Sequence, residues 1–86
     1  MMYTYIKLAD ETQFAYSNIL DDNTIRVAVE RPRDMGFDSA TCLLPAYTWS
    51  EIDGFSPDEM AELDKMVHNN APIIWHLARE VTKTYA

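Results

Sequence analysis

The first reactive combination to look for is a thiol with an imidazole, and here it can be drawn only from Cys42 with His68 or His76. Nucleophilic catalysis needs a thiolate and a base within hydrogen-bond reach. Cys42 instead sits in the apolar run Ala40-Thr41-Cys42-Leu43-Leu44, where a reduced cysteine behaves as a small core residue. A buried, structural thiol is expected. The two histidines lack the i, i+4 spacing with which one helix face grips a metal, so they read as solvated or capping side chains.

Carboxylates are the next candidates. Glu51, Asp53, Asp58, Glu59, Glu62 and Asp64 crowd one stretch of the chain and invite comparison with a hydrolase pair or a divalent-cation site. A calcium loop needs oxygen ligands at regular spacing around a fixed glycine, and Asp53-Gly54 is followed too soon by a helix start. No metal site and no cofactor site are expected. Gly36 and Gly54 are the only glycines, which excludes a glycine-rich phosphate loop. Arg26, Arg31 and Arg33 suit phosphate or carboxylate and are expected to pair with the chain's own surplus acids.

The aromatic group Phe37, Tyr47, Trp49 and Phe55, set beside acidic residues, has the composition of apolar anchors inside a charged rim. Tyr47 and Trp49 are therefore candidate partner-binding residues, while Phe55 is expected to serve the fold.

These residues must be positioned by one small core. The chain has 86 residues, 48% hydrophobic and 24% charged, which suits a single domain over residues 1–86 and argues against disorder. A lone cysteine favours a reducing compartment, the N-terminus lacks the pattern of a signal peptide, and no stretch has the length of a membrane span. A cytoplasmic protein without a membrane partner is expected. Its formal charge of −7 makes nucleic acid a poor partner.

The stretches Met2–Leu8, Gln13–Leu20 and Thr24–Glu30 are rich in β-branched and aromatic residues and separated by Asp10-Glu11-Thr12 and Asp21-Asp22-Asn23. They predict an antiparallel meander. Ile25, Val27 and Val29 alternate with Arg26, Ala28 and Glu30, which gives the third strand one dry face. In the first strand Ile6 and Leu8 claim one face by the same alternation, leaving Tyr3 and Tyr5 on the other as a surface for self-association or a partner. Pro32 and Gly36 predict a loop over residues 31–38. Ala40–Leu44 predicts a fourth strand, and Tyr47–Trp49 either continues it after a bulge, forms a strand of its own or makes an irregular cover.

Ser56 as N-cap, Pro57 as first helical residue, Glu59 as the capping-box acid and Phe55 with Met60 as a staple predict a helix start. Asn69-Asn70 predicts its end and Pro72 the opening of a second helix, with a kinked continuous helix as the alternative. Ile73, Ile74, Leu77, Ala78, Val81 and Tyr85 share an arc of that second segment.

The fold expected is therefore α+β: a meander of three to four antiparallel strands with two C-terminal helices packed on one sheet face. The function expected is that of a small acidic non-enzymatic protein-binding or regulatory module, of antitoxin, inhibitor or assembly-subunit type. The alternative is a small hydrolase or ligand-binding domain whose site is completed at a homodimer interface.

Overall fold

The computed structural model describes residues 2–85. Five strands, β1 (Met2–Lys7), β2 (Gln13–Ser17), β3 (Ile25–Arg33), β4 (Gly36–Leu44) and β5 (Thr48–Asp53), precede one helix, α1 (Pro57–Tyr85). The strands form a single antiparallel sheet in the order β1-β2-β3-β4-β5. This overturns the expectation of two helices on three to four strands. One 29-residue helix packs on a five-stranded sheet.

The turns between β1, β2 and β3 form where polar clusters predict them. Asp10 Oδ1 accepts the Thr12 N–H at 3.0 Å and Asp22 Oδ1 accepts the Thr24 N–H at 3.3 Å, the local side-chain bond that favours Asp in turns. Glu11 and Asn23 take the left-handed conformations these turns require. β2 stops at Ser17, short of the expected Leu20, because the Ser17 hydroxyl accepts the Arg26 N–H at 2.9 Å.

The predicted loop at residues 31–38 is instead a hairpin closed by Asp34-Met35, with Arg33 opposite Gly36 and Pro32 opposite Phe37. Two residues in the turn make Arg33–Gly36 a hydrogen-bonded pair, so alternation makes Pro32–Phe37 a pair without ladder bonds. Toward β2, Pro32 lies past the last paired position, Gln13 opposite Glu30. The missing proline N–H therefore leaves no gap. Tyr47–Trp49 turns back from β4, and Thr48–Asp53 becomes β5.

Two bulges shape the sheet. In β1, Thr4 faces Ala15 and Ile6 faces Phe14, leaving Tyr5 as the extra residue. An inserted residue switches the parity of a strand, which is why Tyr3 and Tyr5 before the switch and Leu8 after it all pack against the same core. The expectation that Tyr3 and Tyr5 occupy the face away from the helix is thereby corrected. The second bulge lies in β5 between Ser50 and Asp53, where Glu51 is left-handed. Both bulged strands are sheet edges, and bulging interrupts the template that an edge offers to other chains.

The core lies between one sheet face and α1. Phe14 and Tyr16 from β2, Ile25, Val27 and Val29 from β3, and Ala40, Cys42 and Leu44 from β4 meet Leu63, Val67, Ala71, Ile74 and Ala78. The five helical residues fall within an arc of about 80° at about 100° per residue, and their phase runs unbroken through Asn69, Asn70 and Pro72. Ile73, expected on the buried arc, is 52% exposed, and the Tyr85 side chain lies outside the described residues. At its start α1 has the predicted capping box: Glu59 N–H donates to Ser56 Oγ at 3.2 Å and Ser56 N–H donates to Glu59 Oε1 at 2.9 Å. Near its end the Thr82 hydroxyl oxygen accepts the Ile19 N–H at 2.9 Å.

Candidate functional site

The four residues proposed from sequence for partner binding all turn toward the helix. Tyr3 stacks on Tyr16 with ring centroids 5.5 Å apart. Tyr5 donates its hydroxyl to Asn70 Oδ1 at 2.7 Å. From the opposite edge, Trp49 donates its indole N–H to Asp64 Oδ1 at 2.9 Å, and Tyr47 lies over the His68 ring at 3.6 Å and 9°. Asp64 and Asn70 are about 120° apart around the helix and flank the buried seam. The two edge strands thus each hold α1 by an aromatic side chain with a polar tip, a use that suits Tyr and Trp because ring burial and a hydrogen bond are met together. All four remain half-buried.

Cys42 is fully buried, and burial pushes its thiol up to about 11, with the Asp64 carboxylate adding to the shift. Neither histidine is within bonding distance of it: His68 pairs with Asp64 at 3.5 Å and stacks on Tyr47, and His76 is exposed.

Each arginine singled out from sequence is paired internally. Arg26 donates to Glu51 at 3.0 Å, and Glu51 also accepts the Thr41 hydroxyl. Arg31 bridges the buried Asp38 at 2.7 Å and Glu59 on the helix, with its guanidinium 4.7 Å over the Phe55 ring. Arg33 donates to the second oxygen of Asp38 at 3.1 Å and approaches Asp53. The Arg31 hydrogen bond, followed by that of the Ser56 backbone, holds the Glu59 carboxyl down to about 2, and the two acids raise the Arg31 pKa in turn. This network ties the β3–β4 hairpin to the helix start, and Gly54 fits beside it because a Cβ there would stand 2.0 Å from Asp38 Oδ1. Among the described residues no three His, Cys, Asp or Glu side chains converge as a metal site, and no helix is long and apolar enough to cross a membrane.

The face of the sheet away from α1 carries the remaining feature. β3 and β4 run past the start of β2, and this step leaves a concavity of about 270 Å³ lined by Lys7, Glu11, Gln13, Glu30, Pro32 and Phe37. Phe37 is 55% exposed, and Met35 at the hairpin tip is wholly exposed (105%) with φ 64°. Among the described residues Lys7, Glu11 and Glu30 form no ion pair, in contrast to the arginine network. Comparison with family models, curated proteins and solved structures finds no match for the chain. The site therefore rests on its own chemistry.

Of this group, only Phe37 stands out in the sequence. Met35 and the charged lining residues become visible once residues 31–38 are read as a two-residue hairpin, because a methionine at the second turn position, where Asn or Gly is usual, then lacks a structural reason.

Proposed function

We propose that this chain is an acidic non-enzymatic binding module that engages a protein partner through the β3–β4 hairpin and the adjoining open end of the sheet. The supporting observation is the joint exposure of Met35 and Phe37 at 105% and 55%. Single exposed apolar residues are ordinary. Two at one hairpin tip, one in a backbone region that non-glycine residues seldom occupy, beside a concavity with unpaired charges, match an anchor-and-rim interface. An antitoxin-like, inhibitor-like or assembly role fits such a surface, and a reduced, buried Cys42 suits a cytoplasmic setting.

A catalytic reading has less to draw on. Cys42 is fully buried and out of reach of a counterpart across a dimer axis, and a 270 Å³ open concavity falls below the usual size of a substrate pocket.

The test is affinity capture from the source cell's lysate with wild type and Met35→Ser/Phe37→Ser as parallel baits, alongside sedimentation of each. A stoichiometric protein retained by wild type and lost by an equally stable variant is the expected result. Identical recovery on both baits overturns the hairpin as the contact surface. A wild-type dimer dissociated by the variant would assign the surface to a second copy of this chain.

A further inference from the structure

Resting on that reading, we infer that the concavity beside Phe37 receives one basic side chain of the partner, an arginine by preference. The volume, about 270 Å³, suits a single long side chain and falls below the usual size of a small-molecule pocket. Its chemistry then selects the side chain. Glu11 enters from the β1–β2 turn and Glu30 from β3, two carboxylates without an ionic partner among the described residues, while the Phe37 ring and Pro32 supply an apolar wall. A guanidinium is the group that uses both parts, because it stacks on an aromatic face and bonds carboxylate oxygens in its plane. The same molecule contains this arrangement once already. Arg31 lies 4.7 Å over Phe55 while donating to Asp38 and Glu59, and the open-face concavity has the same residue types, an aromatic and two acids, with Lys7 beside them but no guanidinium.

Lys7 on the same wall offsets one of the two charges and is placed to donate to a carbonyl of the incoming segment. The chain's formal charge of −7 favours approach of a basic partner over an acidic one, with an encounter rate that falls as salt is added.

The probe is the peptide acetyl-Gly-Arg-Gly-amide, titrated into 15N-labelled protein at low salt, with the citrulline peptide as an uncharged isostere. Amide shifts confined to Glu11, Gln13, Glu30 and Phe37, absent with citrulline and weakened about tenfold or more in Glu11→Gln/Glu30→Gln, are expected, a tenfold loss being the scale of one good polar contact. Phe37→Leu keeps an apolar wall and removes the ring, and weakening there as well is expected. Equal shifts with citrulline, unchanged binding in the Gln variant, or no shifts at this end of the sheet overturn the inference. The hairpin reading survives that failure if the Met35→Ser/Phe37→Ser bait still loses its partner. It falls separately if both baits recover the same proteins.

Discussion

The Tyr5 hydroxyl donates to Asn70 Oδ1 at 2.7 Å, and the same Asn70 amide donates through Nδ2 to the Met66 carbonyl at 2.7 Å. Asn favours helix ends because its side chain competes for backbone groups. Here both ends of the amide are occupied without disturbing the helix. Tyr5→Phe keeps the ring and removes the donor, so it should cost about 0.5–1.5 kcal/mol, the usual worth of one hydrogen bond. Urea denaturation with an unchanged m-value is the measurement, and an unaltered midpoint would show that the edge strand is held by ring packing alone.

Gly54 follows β5 at φ 93°, and a Cβ there would stand 2.0 Å from Asp38 Oδ1 and 2.7 Å from its Cγ. Asp38 cannot simply move aside, since it accepts from both Arg31 and Arg33. Gly54→Ala should therefore lose about 2–4 kcal/mol, backbone strain and displacement of a buried paired carboxylate acting together. A loss under roughly 1 kcal/mol, the plain Gly-to-Ala backbone difference, would mean that the network relaxes freely.

Much of the frame is legible in the residues themselves. The capping box at Ser56 and Glu59 and the alternation of Ile25, Val27 and Val29 are local signals, and local hydrogen bonds and burial express them directly. What is not local is harder to read. The extra residue at Tyr5 reverses the face of everything before it, and nothing in Met2–Lys7 marks a bulge. Asn69, Asn70 and Pro72 are strong stop signals, yet the seam Leu63, Val67, Ala71, Ile74 and Ala78 stays in phase through them. Burial of that seam outweighs the local preference of a few residues, as tertiary packing generally does. Trp49 stands out in the sequence with Phe37, Tyr47 and Phe55, and Tyr5 with Tyr3 on the first strand, but whether Tyr5 and Trp49 face a partner or their own helix depends on acceptors at Asn70 and Asp64, more than a dozen residues away in sequence.

Acid sensitivity follows from the helix start. Glu59 has a folded-state pKa of about 2 against an ordinary 4.5, with the Arg31 hydrogen bond the leading cause. A depressed carboxyl contributes stability that is complete above about 4.5 and lost as pH falls toward about 2. The denaturation midpoint should decline over that window. Glu59→Gln keeps a side chain able to cap Ser56 but removes the titrating charge, so the decline should be shallower. Parallel acid limbs for the two proteins would show that Glu59 does not carry it.

Pro72 lies inside α1 and is exposed. It has no N–H to offer the His68 carbonyl, and in a helix interior proline is about 3 kcal/mol less favourable than alanine. The ring also clashes with the turn before it. Against this, proline restricts the unfolded chain, which returns roughly 0.4–1 kcal/mol. Pro72→Ala should therefore stabilise the protein, by about 2 kcal/mol, without altering the core, since Ala71 and Ile74 face the sheet on the other side of the backbone. Thermal and urea denaturation measure the change, and helical circular dichroism should rise slightly as the missing bond forms. A destabilised variant would mean that the proline sets a bend on which the packing of Ile74 and Ala78 depends.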